Sequence, residues 1–314
     1  MKKIKVGVVY GGDSPEHEVS KMTAESILEN IDHDKFDVVE IFIDEHGKFD
    51  EELLKNIDIA FLAVHGENYE DGKFQRYLDG LGVKYTGSGA RSSEINMDKD
   101  LQKRRFKKAG INVVKHFVVS ADDKINDTAQ KIENEFGYPC IIKPINTGSS
   151  LGITKINDRG ELPLAIRKAG EINGKIIIEK AIENHRELEV SVLGNSDLII
   201  SNPGEVLADG EVYSYEAKYL KPFETTTEPE NLPFYVVDKI KEYSKKAFRA
   251  TRCRGYARVD LFLTKDGDLY VNEINTLPGF TYISMFPKAL GAMGITYKDL
   301  ITRIIELGIE QEKK

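Results

Sequence analysis

Cysteine is scarce in this 314-residue chain, and the two present, Cys140 and Cys253, form no CxxC spacing. A disulfide framework and a zinc ribbon are thereby excluded. Proline is scarce as well, 10 residues against 26 glycines, so tight glycine turns are expected. No stretch approaches the roughly 20 consecutive apolar residues of a membrane-spanning helix. Positive charge is in deficit: 44 Lys and Arg stand against 52 Asp and Glu, a net charge of −8. That excludes a generally basic nucleic-acid binder and leaves room for a local basic pocket. The opening MKKIKVGVVYGG has too short an apolar run for a secretory signal and reads as a first strand. A soluble, cytoplasmic setting with no nucleic-acid or membrane partner is expected. Two phosphate-binding fingerprints are also missing. No GxGxxG follows the first strand, and no GK[ST] opens a helix.

What is present alternates in type. The first third reads as strands at Lys5–Tyr10, Phe36–Ile43, Ile57–Val64 and Val83–Thr86, separated by helices. This pattern implies an open parallel α/β sheet. Ligands of such sheets sit at the carboxyl ends of strands, here the loops Gly11–Ser20 and His65–Gly72. Ser14 and Pro15 fit the N-cap and first turn of the following helix. From residue 97 the pattern becomes α+β, beginning with a basic helix over Met97–Ala109 in which Lys99 is singled out. Its other charges read as a solvated face. Lys143 closes a strand and is followed by the loop Gly148-Ser149-Ser150, whose backbone N–H groups and nearby ammonium suit phosphate oxygens. A loop-rich stretch, Gly204–Pro233, is long enough for a functional lid and contains Tyr213-Ser-Tyr215-Glu216-Ala-Lys218-Tyr219. Three domains are expected: 1–96, 97–183 and 184–314.

The most informative segment is a hairpin over Gly255–Ile274. A two-residue turn at Asp266-Gly267 pairs Leu263 with Tyr270, Asp260 with Glu273 and Arg258 with Asn275. The last four then share one face. Two carboxylates directly opposite repel, and Mg²⁺ between them removes the repulsion. On the hairpin alone, a metal site and a solvated polar face both fit, and a single bulge would shift the register.

Eight segments in order, GGDSPEHEVS, MDK, IIKPINTGSSLG, EKAIENHRELEVSVLG, YEAKY, RVDLF, NEINTLPGFT and SMFP, resemble blocks of the D-alanine–D-alanine ligase family. The resemblance runs from Gly11 to the segment around Ser284. It implies the ATP-grasp architecture: an N-terminal open parallel α/β sheet domain followed by two α+β domains that clasp ATP. It also implies joining of two D-alanines through an acyl phosphate, for peptidoglycan precursor synthesis, by an enzyme that forms homodimers.

Residue roles follow from the same resemblance. Lys99, Lys143 and Ser150 are expected at the ATP phosphates. Glu179 and the backbone of Lys180 and Ile182 are expected at the adenine, and Glu187 at the ribose. Asp260, Glu273 and Asn275 are expected to bind two Mg²⁺ ions, which Mn²⁺ can replace, and Arg258 to steady the developing oxyanion. Glu16 is expected at the first amino group, in a set with Ser149 and Tyr219, and Lys218 at the transferred phosphate. His65, Gly279 and Ser284 are expected at the second D-alanine.

The chain departs from the family pattern at Tyr69, where Gly is usual, and at Val212, where an aromatic is common. Glu183-Asn184-His185 reads as an insertion before Glu187. Lys218-Tyr219, with no histidine between 186 and 314, goes with the dipeptide-forming type. Two other readings stand beside this one: a related ligase with a different acceptor, and a nucleotide-binding regulator without activity.

Overall fold

The computed structural model describes residues 3–148, 151–207 and 224–310. Ser149, Ser150, Val212, Lys218 and Tyr219 lie outside them. The first unit is β1 (Ile4–Gly11), α1 (His17–Asn30), β2 (Phe36–Ile43), α2 (Glu51–Lys55), β3 (Ile59–Leu62) and α3 (Lys73–Leu81). Its strands form a parallel sheet in the order β2-β1-β3. The expected fourth strand, Val83–Thr86, is reduced to one parallel bridge between Ala60 and Tyr85. Gly82 and Gly87, both at positive φ, turn the chain away on either side of it. β1 carries apolar side chains on both faces, as a central parallel strand must. It ends at Gly11 and Gly12, whose φ of 91° and 108° only glycine adopts without strain.

Two helices lead out of this unit: α4 (Ala90–Met97) and α5 (Lys99–Lys108). The expected helix over Met97–Ala109 is found as α5, and α4 is unexpected; the boundary between them is Asp98. This residue ends α4 and caps α5, its carboxylate accepting from the Leu101 N–H at 2.8 Å. The boundary sets Lys99 at the first position of α5.

Next come β4 (His116–Ser120), α6 (Ile125–Glu135), β5 (Cys140–Pro144), β6 (Thr154–Ile156), α7 (Leu162–Ile172) and β7 (Lys175–Lys180). They build an antiparallel sheet in the order β4-β7-β5-β6.

The last unit holds β8 (Arg186–Leu193), β9 (Ile199–Ile200), β10 (Gly204–Leu207), β11 (Glu224–Thr226), α8 (Phe234–Ala250), β12 (Tyr256–Leu263) and β13 (Leu269–Asn275). Two helices follow, α9 (Met285–Gly291) and α10 (Tyr297–Ile309). The sheet order is β11-β10-β8-β12-β13, with β9 beside β8. β10 and β11 are strands within the stretch read from sequence as loop. They are short and polar, so no alternation announces them.

Three apolar cores result. One lies behind the central sheet and one between β8, β12, β13 and α8. The first sheet's core also takes in Leu300, Ile301, Ile304 and Ile305 of α10. The chain's end thus packs on its beginning. A Cβ added at Gly308 would fall 2.5 Å from Ile59 Cδ1, so this glycine lets α10 approach β3.

Candidate active site

A cavity of about 650 Å³ opens where the three units meet. Glu16, His65, Lys99, Arg258, Glu273, Asn275, Gly279 and Ser284, all singled out from sequence, line it. Lys143, Glu179, Lys180, Ile182, Glu187 and Asp260 stand outside that lining.

On the side of the central sheet, the buried Glu179 of β7 meets two ammonium groups. Lys143 of β5 lies 2.9 Å from Oε2, and Lys103 of α5 lies 3.2 Å from Oε1. Burial alone raises a carboxyl pKa, but the two lysines outweigh it and hold Glu179 well below the carboxylate range. Burial pulls Lys143 down, yet Glu179 more than restores it. Lys103 stays below the ordinary lysine value despite Glu179.

Lys99 is buried and donates to the Thr147 carbonyl. Desolvation lowers its pKa to about 8, against the opposing pull of Glu273. Glu179 Oε1 is buried, with the Lys103 ammonium 3.2 Å away as an ion pair and no further hydrogen-bond donor among the described residues. A buried carboxylate oxygen so placed gains from a further donor such as an amino group. The Lys180 N–H is already committed to the Lys115 carbonyl at 2.9 Å. Glu187 stands 3.4 Å from the His185 ring.

The β12–β13 hairpin faces this group. Asp260 opposes Glu273 and Arg258 opposes Asn275, as the sequence predicts. The route to that register differs from the expected one. The turn has three residues, Lys265-Asp266-Gly267, with the Thr264 N–H bonded to the Asp268 carbonyl and Gly267 at φ 84°. Leu263 therefore faces Leu269, and Tyr270 faces Phe262. A bulge at Asn272 then adds one residue to β13 and restores the pairing at the site.

Arg258 holds Asp260 through two bonds of 2.7 Å, and Glu189 of β8 lies 3.5 Å away. Asn275 Oδ1 accepts from the Leu277 N–H at 2.9 Å. Among the described residues no three Asp, Glu, His or Cys side chains converge on a point. Asp260, Glu273 and Asn275 together offer two carboxylates and an amide. That fits an ion keeping waters and phosphate oxygens, as Mg²⁺ does.

Loops build the opposite side. Glu16, not Ser14, occupies the N-cap position of α1, without a side-chain cap bond. Ser14 Oγ instead donates to the His65 carbonyl at 2.7 Å and accepts from the Glu16 N–H at 3.2 Å. Gly66 makes the approach feasible, since a Cβ there would lie 2.6 Å from Glu16 Oε2.

His65 is buried. Its Nε2 lies 2.9 Å from Thr23 Oγ1, and its Nδ1 lies 3.1 Å from the Leu277 carbonyl and 3.5 Å from Glu70. Burial disfavours the imidazolium, but Glu70 and Glu16 outweigh burial and raise the pKa. Ser284 Oγ is 2.9 Å from Thr281 Oγ1 and accepts from the Thr281 N–H at 3.2 Å.

Tyr69 does not line the cavity. Its ring packs over Gly12 and against Phe74, and its hydroxyl donates to Asp13 Oδ1 at 3.0 Å.

Lys103, Glu70, Glu189 and Thr23 were not singled out in the sequence. For Lys103 a signal existed. Lys99, Gln102, Lys103 and Phe106 follow the spacing of a buried helix stripe, and all four are buried. Polar residues at core spacing mark a face turned toward a site.

Residues 105–306 match the family described as D-ala D-ala ligase C-terminus, and residues 5–54 match the D-ala D-ala ligase N-terminus. A D-alanine–D-alanine ligase of Caldicellulosiruptor bescii is 39% identical, covering 100% of this chain and 97% of that protein. One from Oceanobacillus iheyensis is also 39% identical over the same shares. Among solved structures, the Bacillus anthracis D-alanine–D-alanine ligase complexed with ATP superposes with a TM-score of 0.84 at 32% identity, over 98% of each chain. The VanG D-Ala:D-Ser ligase of Enterococcus faecalis gives 0.86 at 30% identity, over 98% of this chain and 100% of that one. With full-length relatives, both halves of the family pattern and the same arrangement of sheets, the chain belongs to the D-alanine–D-alanine ligase family.

Proposed function

We propose that the chain joins two D-alanines at the expense of ATP, and that the cavity between the three units is where it does so. The observation that carries this reading is the facing of Asp260 and Glu273 across the hairpin, beside a cluster of buried lysines. The division 1–96, 97–183 and 184–314 assigns the amino-acid loops to the first unit. The nucleotide contacts fall to the second, and the metal strand to the third.

In this reading Lys99 and Lys143 hold the triphosphate. Glu179 Oε1, buried beside Lys103 with no further donor among the described residues, takes the adenine amino group. Lys180 and Ile182 supply backbone contacts to the base, and Glu187 reaches the ribose. Asp260, Glu273 and Asn275 would hold Mg²⁺, with Mn²⁺ as a substitute, and Ser150 joins the phosphate contacts. When bound, the metal neutralises the charge that builds on the phosphoryl oxygens. Arg258, already paired with Asp260, presents its guanidinium beside the reacting carboxyl and steadies the oxyanion.

Glu16 binds the ammonium of the first D-alanine, whose carboxylate attacks the γ-phosphorus and becomes an acyl phosphate as ADP leaves. The amine of the second D-alanine then attacks that carbonyl, loses its proton and expels phosphate. His65, held toward its charged form, and Ser284 with the Gly279 backbone receive the second carboxylate. Ser149, Lys218 and Tyr219 complete the set as the closing side. The site must exclude water, which would hydrolyse the acyl phosphate.

The product serves peptidoglycan precursor synthesis in the cytoplasm, and the protein acts as a homodimer. No helix among the described residues is long and apolar enough to cross a membrane.

The acceptor is D-alanine. The Lys218-Tyr219 pair supports it, and Tyr69, the departure nearest the acceptor loop, faces away from the cavity. The test offers purified protein ATP, Mg²⁺ and D-alanine with equal D-serine and D-lactate, and identifies products by mass. Phosphate release that needs D-alanine, with the D-alanyl dipeptide dominant, is expected. Dominance of either mixed product at neutral pH overturns the acceptor assignment, and phosphate release indifferent to D-alanine overturns the reading itself.

A further inference from the structure

Lys103 is a charged residue with a side chain 1% exposed, in a helix whose basic residues, Lys99 apart, otherwise read as a solvated face. Burying an ammonium is costly unless its hydrogen bonds and a counter-charge are supplied. A methionine would fill the same space without that cost. Both compensations come from parts of the protein that do not otherwise belong together. One is Glu179 Oε1 on the central sheet, 3.2 Å away. The other is the carbonyl of Asn272, 3.0 Å away.

Asn272 is the bulged residue of β13, the one whose insertion brings Glu273 opposite Asp260. β13 is also the edge of its sheet, and an edge carbonyl at a bulge has no ladder partner. α5 and the loop after it close that edge: Gln102 Nε2 reaches the Ile274 carbonyl at 3.4 Å, and the Asn112 carbonyl takes the Val271 N–H at 3.0 Å. Among these contacts only Lys103 also grips the central sheet.

We propose that Lys103 is a positioning residue that ties the Glu179 carboxylate to the bulge that sets Glu273, so that a base bound at Glu179 orders the strand carrying Glu273. The inference rests on the assignment of Glu179 to adenine and Glu273 to the metal. A base amino group adds a donor at Oε1 beside Lys103 and fixes the carboxylate. The fixed carboxylate fixes Lys103, and Lys103 fixes the bulge. Base and metal then bind with positive coupling although they share no contact.

Adenosine tests this, because it carries the base and no phosphate to bind metal. Mn²⁺ affinity of the wild-type protein is measured by electron paramagnetic resonance with and without saturating adenosine. Adenosine is expected to tighten Mn²⁺ roughly fivefold or more. Lys103→Met is expected to abolish the effect, whereas Lys107→Met, on the exposed face of the same helix, keeps it.

In turnover, Lys103→Met is expected to raise KM for ATP and half-saturation for Mg²⁺ together, with KM for D-alanine within about twofold. Equal Mn²⁺ affinity with and without adenosine in the wild type overturns the inference, and this measurement needs no variant to fold. A variant that loses thermal stability yet keeps the wild-type coupling overturns it as well. Wild-type phosphate release that needs D-alanine, measured on the same preparation, separates failure of this inference from failure of the ligase reading.

Discussion

The two walls of the proposed site, in and around the cavity, are built by different means. The side proposed for the nucleotide is a set of charges on regular elements: the buried Lys99 and Lys103 on α5, Lys143 on β5 and Glu179 on β7, with the half-buried Glu273 on β13. Its geometry is fixed by sheet register and helix phase, and its groups hold one another's charge states. The amino-acid wall is made of loops at the carboxyl ends of β1 and β3, where Glu16, His65 and Glu70 are placed by hydrogen bonds and by glycines at positive φ. Charges on the first wall cannot be removed singly without exposing a buried partner. Groups on the second can be exchanged at the cost of a bond or two.

The largest break in that contrast is expected at the metal strand. Glu273→Gln keeps the side chain's size and removes its charge. It should lower D-alanine-dependent phosphate release roughly a hundred- to a thousandfold, with an unchanged circular dichroism spectrum. Glu16→Gln, on the loop wall, should cost less. Loss of one charged hydrogen bond, about 1.5–3 kcal/mol, should raise KM for the first D-alanine and leave ATP binding unaltered. Steady-state kinetics with each substrate varied separates the two.

Lys99 sharpens the contrast through pH. Its folded pKa of about 8 lies below that of a free lysine, chiefly through burial. From about 8 up to the free value, the unfolded chain holds a proton that the folded protein has released. This group's unfavourable contribution to stability therefore shrinks as pH rises. A triphosphate beside it favours the charged form. Nucleotide binding somewhat above pH 8 should take up a fraction of a proton, read by calorimetry in buffers of different ionisation enthalpy.

The smallest effect is expected at Tyr69. Tyr69→Phe removes the hydroxyl bond to Asp13, worth about 1 kcal/mol of stability by thermal unfolding, without changing acceptor choice.

The unequal walls also explain what could be read from the chain. Alternation in the hairpin made the facing of Asp260 and Glu273 legible, although the turn was misjudged by one residue and the bulge was not foreseen. The two deviations cancel at the site because each shifts the register by one residue, in opposite directions. Glu16 and His65 were legible because strand ends of a parallel sheet gather ligands. Lys103 was not, because a basic run reads as solvated surface until the helix phase around Phe106 is considered. Helix α4, which ends at Asp98, and the strands β10 and β11 were hidden for a related reason. Single capping residues and short polar strands carry no periodic signal.

The account stands on two carboxylates facing one another to hold a divalent ion against the nucleotide. Counting Mn²⁺ bound per chain with a non-hydrolysable ATP analogue tests this most directly, comparing wild type, Glu273→Gln and Asp260→Asn. Two bound ions are expected in the wild type, with loss of bound Mn²⁺ in both variants and the nucleotide still retained. Undiminished Mn²⁺ in both variants would contradict this.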